Sequence, residues 1–253
     1  SSILLGNAAN NFAGAVTFLP SAGNIQDVTF YNNTATDLAA LTLLGNVTVT
    51  ANGNITQSGV LAIPGTASFS APGFTVNLNL ANNFGTVSLC GQNVILFEAS
   101  ATDLGLTQVT GTLTVNSAGA ISQSGTVIAN QLVLTSPGAI NLGLGGNSVA
   151  NLGAVTCNGN FSLVNGSGGL TVNGPFAGVY NDVDIYTPLT LVLNCNITTA
   201  GAGDDIRVGS SYAFINNFGA GALTPGGRWL IYSPYDARFN QLNGLVPVFA
   251  EYN

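Results

Sequence analysis

Apolar and polar residues alternate along most of the chain in short runs. Val47-Thr48-Val49-Thr50, Ala67-Ser68-Phe69-Ser70 and Leu132-Val133-Leu134-Thr135 are examples that are rich in β-branched residues. Such runs predict short strands. Segments with Gly, Asn and Pro, such as Ala51-Asn52-Gly53-Asn54 and Ser136-Pro137-Gly138, separate these runs and supply the tight corners between strands. Apolar residues nowhere keep a helical period over three turns, so the pattern predicts an all-β fold without a substantial helix.

The alternating segments recur along the chain. Asn54-Ile55-Thr56-Gln57-Ser58-Gly59 returns as Ala120-Ile121-Ser122-Gln123-Ser124-Gly125, an offset that aligns Gln57 with Gln123. A second motif, Asn-Asn-Phe, begins at Asn10, Asn82 and Asn216. A repeat of this length that holds about three strand and turn sets predicts stacked coils of roughly 20 to 24 residues. The repeated Gln is expected to lie near a corner and to support the stacking of coils.

The stacked arrangement also explains why the chain has so few charges. Charged residues make up 5% of the sequence, whereas Gly, Asn, Thr and Ser are abundant. In a parallel stack each outward side chain lies over its counterpart in the next coil, where like charges repel and hydroxyl or amide side chains form hydrogen-bonded ladders. The sequence therefore predicts a parallel β-solenoid of about eleven coils.

The C-terminal end of the chain differs from the rest in being rich in aromatic side chains. Residues 1–227 are predicted to form the solenoid repeat domain and residues 228–253 a capping or junction segment, because an open terminal coil would expose unpaired strand edges. Two roles stay open for the segment, which are packing over the last coil and docking of a further subunit or domain. The predicted cap or interface residues are Arg228, Trp229, Tyr232, Tyr235, Phe239, Phe249 and Tyr252.

Net charge limits the partners. The formal charge is −7, and the basic residues are Arg207, Arg228 and Arg238 alone. So few cations predict no nucleic-acid partner and no binding to an anionic membrane surface. No apolar run approaches the roughly 20 residues that span a bilayer, so membrane insertion is not expected. The chain starts at Ser1 and contains no Met, and we expect it to be a processed or excised piece of a longer product.

Candidate catalytic chemistry is sparse. The sequence contains neither His nor Lys, so an ordinary general base is missing, and we predict no enzyme activity, no catalytic residue and no cofactor. A glycan-cleaving site would use two pairs of carboxylates. One pair is Asp182 with Asp184, which share one face of a strand, and the other is Asp204 with Asp205 beside Arg207. Asp204 and Asp205 are also weak Ca²⁺ candidates, although one loop offers too few oxygen ligands.

Two further alternatives concern tyrosines and cysteines. A lectin-like module would use Tyr180, Tyr186 or Tyr212 along one face to bind glycans. Cys90, Cys157 and Cys195 cannot all pair within the chain, and their spacing fits no zinc pattern. Inward packing, one disulfide between neighbouring coils and intermolecular pairing are the interpretations that remain.

The ordered motifs resemble those of one known family. The Asn-Asn-Phe type, Gly45-Asn46-Val47-Thr48-Val49, Ile55-Thr56-Gln57-Ser58-Gly59 and the closing Gly227-Arg228-Trp229-Leu230-Ile231-Tyr232-Ser233 are similar to the repeats of filamentous haemagglutinin-like large exoproteins of bacterial two-partner secretion. This resemblance covers nearly the whole chain. It implies a right-handed parallel β-helix that is secreted or held at the bacterial cell surface, and that serves as an adhesin or an extended stalk.

The function expected from the sequence is therefore a non-enzymatic extracellular structural or adhesive module. Its expected partners are copies of itself, in a head-to-tail filament or as neighbouring repeats, and cell-surface glycans. Self-association is suggested by the self-similar coils, by the lack of repelling charge and by the strand-like pattern from Ser1 to Leu5. A polysaccharide-binding or polysaccharide-cleaving β-helix is the alternative.

Overall fold

A computed structural model describes residues 1–18, 24–233 and 240–246. Its parallel strands are stacked as a β-solenoid of about eleven turns, and none of these described residues is helical. The predicted all-β solenoid is therefore confirmed. The chain divides into two compact units, a first unit of residues 1–128 and a second unit of residues 129–253.

The described part of the chain forms twenty strands. The first unit contains β1 (Ile3–Leu5), β2 (Ala15–Val16), β3 (Val28–Asn32), β4 (Thr36–Leu38), β5 (Leu41–Thr42), β6 (Val47–Ala51), β7 (Ile55–Gln57), β8 (Leu61–Glu98), β9 (Thr102–Ser117) and β10 (Ile121–Gln123). The unit boundary falls within β11 (Val127–Thr135). The second unit contains β12 (Ile140–Asn165), β13 (Leu170–Val172), β14 (Phe176–Thr187), β15 (Leu191–Leu193), β16 (Ile197–Thr198), β17 (Ile206–Ser210), β18 (Phe214–Asn216), β19 (Leu223–Thr224) and β20 (Trp229–Tyr232).

Three strands make one turn of the first unit. Strands β3, β4 and β5 of one turn pair in parallel with β6, β7 and the start of β8 in the next. Val28 lies opposite Val47, and Val47 opposite Ala67, so the length of a turn here is at or just below the lower end of the predicted range. In the second unit Leu170 lies opposite Leu191, and Leu191 opposite Phe214, which gives longer turns that fall within the range.

Period-two alternation separates the core from the surface in each turn. Phe30, Val49 and Phe69 stack on one another and are each 1% exposed. The intervening Thr48 and Ser68 point outward in a register of their own. Burial of such apolar rows supplies the main driving force, while the outward hydroxyls carry no charge that would repel along the stack.

The repeated Gln-Ser-Gly motif marks a corner with a defined geometry. Gln57 donates a hydrogen bond from Nε2 to the carbonyl of Gly59 at 2.7 Å, and Gln123 does the same to Gly125 at 2.7 Å. A β-carbon at Gly59 would overlap the backbone nitrogen of Ala40 in the preceding turn. The motif is thus a corner in which the Gln amide bonds the carbonyl of the glycine. The neighbouring backbone leaves no room for a β-carbon at that glycine.

Substitution of this glycine is expected to destabilise the first unit. Gly59→Ala or Gly125→Ala forces backbone apart, and overpacking of this kind costs about 1–3 kcal/mol of unfolding free energy. Gly145→Ala is the matched control, because no atom lies within 4 Å of a β-carbon there. Urea unfolding of the three variants measures the effect. Equal stability of Gly59→Ala and Gly145→Ala would contradict the close approach of turns at this corner.

Candidate functional site

Strands β14 and β17 bring most of the candidate acids of the sequence together. Asp184 lies opposite Arg207 in the parallel register, and Asp182 shares its face two residues earlier. The Arg207 guanidinium donates from Nε to Asp184 Oδ1 at 2.5 Å and from Nη2 to Asp182 Oδ2 at 3.0 Å. The expected common face of Asp182 and Asp184 is therefore present, and the guanidinium of Arg207 binds both carboxylates there.

The neighbouring turn extends the same network. Asp205 Oδ2 accepts hydrogen bonds from Arg228 Nε at 3.0 Å and from Arg207 Nη1 at 3.4 Å. The Asp–Arg cluster thus consists of Asp182, Asp184, Asp205, Arg207 and Arg228. Asp204 stands apart from it, because its carboxylate accepts the backbone N–H of Gly201 at 2.5 Å and so closes a turn.

Electrostatics in the Asp–Arg cluster favour the ionised form of Asp182 and Asp205. The backbone N–H of Asp205 and the Arg207 guanidinium lower the pKa of Asp182, and the bond from Arg228 lowers the pKa of Asp205. A general acid for glycoside cleavage needs the opposite shift. Within 1–18, 24–233 and 240–246 no group of three or more His, Cys, Asp or Glu side chains could hold a metal ion. The geometry is that of a surface ion-pair network.

Arg207→Met is expected to lower the melting temperature near neutral pH, because it leaves three carboxylates close together without their shared cation. A carboxyl with a lowered pKa contributes stability above its ordinary value of 3.8 and loses it as pH falls below that value. The difference between wild type and Arg207→Met should therefore shrink as the pH is lowered from neutral to below about 4. Calorimetry across this range measures it.

Arg228→Met is the control for that prediction. The Arg228 side chain is 72% exposed and has Asp205 as its ion-pair partner in the cluster. Its loss should change the melting temperature less than the loss of Arg207, since exposed pairs contribute little. Equal effects of the two substitutions at neutral pH would contradict the central position of Arg207.

A groove adjoins the Asp–Arg cluster on the outer face of the second unit. The tyrosine groove has a volume of about 310 Å³, and its lining includes Val164, Asp184, Tyr186, Arg207, Gly209 and Tyr232. Tyr186, Gly209 and Tyr232 lie opposite one another on three successive strands. The Tyr186 hydroxyl is 2.6 Å from Ser211 Oγ, and its ring extends over Gly209, where a β-carbon would lie 3.0 Å from Cδ2.

The predicted tyrosine face is only partly present. Tyr180 is 1% exposed, and its hydroxyl donates to the carbonyl of Val155 at 2.6 Å, so placing it on a binding face was wrong. The reason is that position 180 of β14 faces the core, where the phenol hydroxyl forms a hydrogen bond with buried backbone. Tyr186 and Tyr212 are exposed, but Tyr212 is absent from the groove lining. Tyr232, which the sequence suggested as a cap residue, is the second groove tyrosine.

The three cysteines are free thiols. Cys157 and Cys195 are buried, and desolvation raises the pKa of each thiol to about 11, which keeps them protonated and unreactive. For these two the inward-packing interpretation is confirmed. Cys90 is half-buried and borders a separate depression near Ser68 and Gln108, so inward packing does not describe it.

Part of the predicted cap continues the stack. β20 pairs in parallel with β17, and Trp229 lies half-buried opposite Ile206. Beyond it, the backbone of Gln241 pairs with that of Phe214 and Asn216. Four of the predicted cap residues lie outside the described residues, namely Tyr235, Phe239, Phe249 and Tyr252.

One chemically unusual residue escaped the sequence reasoning. Glu98 is fully buried in the first unit; its Oε2 accepts the backbone N–H of Phe84 at 3.2 Å, and its Oε1 has no hydrogen-bond partner. Desolvation raises the pKa of this carboxyl from 4.5 to about 7. The signal was present in the alternation, since Val94, Leu96 and Glu98 occupy the same inward face of β8.

Comparison with family models identifies a family of repeats. Residues 23–89 and 91–151 each match the family described as Repeats of unknown function (DUF5649), and together they cover just over half of the chain. Gln57 falls in the first segment and Gln123 in the second, which confirms the repeat that the sequence predicted. Neither a curated protein nor a solved structure matches the chain. By these two matched segments the chain belongs to the family of Repeats of unknown function (DUF5649).

Proposed function

We propose that the chain is a non-enzymatic structural module of an extracellular surface, whose stacked coils are themselves the functional element. The observation that carries this proposal is an uncharged hydrogen-bonded ladder on the second unit. Asn173 donates to Asn151 Oδ1 at 3.1 Å, Asn194 to Asn173 at 2.6 Å, and Asn217 to Asn194 at 2.8 Å. Four turns are thereby tied together through side chains as well as backbone. Such ladders add order without electrostatic cost, which suits a scaffold.

The chemistry of the acidic residues supports the absence of catalysis. Asp182, Asp184 and Asp205 are ion-paired with arginine, and Asp204 closes a turn. Glu98, whose pKa is raised, is sealed in the core and cannot meet a substrate. Incubation with a panel of polysaccharides, with and without Ca²⁺, should release no new reducing ends or unsaturated products. Turnover that Asp184→Asn abolishes would overturn the non-enzymatic proposal.

An extracellular location and an adhesive role follow from the resemblance to filamentous haemagglutinin-like exoproteins. The nearly uncharged outer surface supports them, since it offers hydrogen bonds rather than fixed charge. No helix of the described residues is long and apolar enough to cross a membrane. An antibody against the purified chain should label intact cells of the source organism. Labelling that requires permeabilised cells would contradict an extracellular location.

Head-to-tail association is the form of assembly that a stack of similar coils favours. Negative-stain microscopy and sedimentation of the full chain over a range of concentrations test it. We expect ordered assemblies that grow with concentration. Single particles alone at high concentration would exclude the filament and leave the isolated module.

A further inference from the structure

The tyrosine groove has a regular layout that comes from the register of three strands. Tyr186, Gly209 and Tyr232 occupy equivalent outward positions on β14, β17 and β20. Neighbouring strands are about 4.8 Å apart, so the two tyrosine positions lie roughly 10 Å apart along the stack. This backbone separation is close to the length of two sugar rings in an extended chain, and the Tyr186 ring extends over part of it at Gly209.

Glycine at the middle position leaves room for the Tyr186 ring, which extends over it. Tyr186 is 41% exposed and Tyr232 58% exposed, and both are large aromatic side chains that solvent reaches. Any side chain at Gly209 would press against the Tyr186 ring, because a β-carbon there would lie 3.0 Å from Cδ2. Aromatic faces of this kind, apolar on the ring and polar at the hydroxyl, favour ligands with both kinds of surface.

The side of the tyrosine groove supplies hydrogen-bond acceptors for a ligand. Asp184 and Arg207 line it beside the tyrosines, and the Asp184 side chain remains 43% exposed. A carboxylate has about four acceptor sites, so Asp184 can still accept hydroxyl donors while it holds Arg207. Sugar hydroxyls are such donors.

Charge in the neighbourhood selects between neutral and acidic ligands. The Asp–Arg cluster has three carboxylates and two guanidinium groups, and the whole chain carries −7. An acidic sugar would meet net negative potential, and its carboxylate would compete with Asp184 for Arg207. A neutral glycan meets no such opposition.

We propose that the tyrosine groove binds an extended neutral polysaccharide, with one sugar ring against Tyr186, another against Tyr232, and hydroxyls donated to Asp184. This site goes beyond the scaffold role and does not depend on it. The two proposals can fail separately. A chain that assembles but binds no glycan would refute only the groove, and a chain that binds glycan but stays monomeric would refute only the filament.

Affinity electrophoresis of the full chain tests the proposal. Native gels that contain hydroxyethyl cellulose, mannan or dextran as neutral probes are compared with gels that contain alginate as the acidic one. We expect retardation by at least one neutral polymer and none by alginate. No retardation by any neutral probe, or retardation by alginate alone, would overturn the proposal.

Variants locate the binding. Tyr232→Ala and Tyr186→Ala should each weaken binding about tenfold or more, as expected for an aromatic anchor. Tyr232→Phe and Tyr186→Phe retain the ring and should keep most of the affinity, which separates stacking from misfolding. Gly209→Val should abolish retardation while both tyrosines remain.

Tyr212→Ala is the matched control, because Tyr212 is 51% exposed but lies outside the groove lining. It should bind like the wild type, and unchanged melting temperatures should accompany the losses in the tyrosine variants of the groove. Equal loss of binding in Tyr212→Ala and Tyr232→Ala would overturn the assignment to this groove.

Discussion

Replacing Asn82 with alanine is expected to lower the free energy of unfolding by about 3 kcal/mol or more, because one buried amide serves several groups at once. Asn82 Oδ1 accepts from Gln57 Nε2 at 2.9 Å and from the backbone N–H of Leu61 at 3.0 Å. Its Nδ2 donates to Gln57 Oε1 at 2.9 Å and to the carbonyls of Leu78 and Phe97 at 3.1 and 3.3 Å. Alanine leaves these groups in the interior without their partner.

The adjacent residue provides the control. Asn83 is the outward residue of the same Asn-Asn-Phe motif and accepts one exposed hydrogen bond from Ser100. Asn83→Ala should change the unfolding free energy by no more than about 0.5 kcal/mol, as surface substitutions usually do. Chemical denaturation at one pH compares the two variants. Equal and small losses would contradict the role of Asn82 as a buried bridge between turns.

The fold could be predicted from the sequence because alternation and repetition are visible in the order of residues. Alternation is a local property, so the inward and outward positions of strands such as β6 follow directly from the order of residues. The recurrence of Asn-Asn-Phe indicated an architectural repeat for the same reason. Its physical cause became visible only in the structure, where Asn216, like Asn82, is completely buried and bonds corner backbone.

The candidate site depended on information that local patterns lack. Asp182 and Asp184 were predicted to share a face, but their partner Arg207 follows one turn later, at a distance set by the length of that turn. This length varies along the second unit. The paired Asp184 and Arg207 are closer in sequence than Ile197 and Leu223, which pair elsewhere in that unit. A shift of one position would place a different side chain opposite Asp184. The groove between Tyr186 and Tyr232 was missed for this reason.

Glu98 should give the first unit an unusual dependence on pH. Below about pH 4.5 the carboxyl is protonated in both the folded and the unfolded chain. Between pH 4.5 and about 7 only the unfolded chain ionises, because burial holds the proton on the folded one. Stability should therefore fall as pH rises, by about 1.4 kcal/mol per pH unit and about 3 kcal/mol in all. Above pH 7 both states are ionised and the dependence ends.

Glu98→Gln isolates this effect, since the amide keeps the shape of the side chain and an oxygen for the N–H of Phe84 without a titrating proton. Its unfolding free energy, measured by urea titration from pH 4.5 to 8, should stay nearly level where that of the wild type falls. The variant should consequently be the more stable protein at pH 8 and close to wild type at pH 4.5. Parallel curves for the two proteins would contradict a carboxyl that folds in its neutral form. Because Asp182 and Asp205 lose their contribution only below about pH 4, the two titrations occupy separate windows, and the wild-type chain should be most stable near pH 4.5.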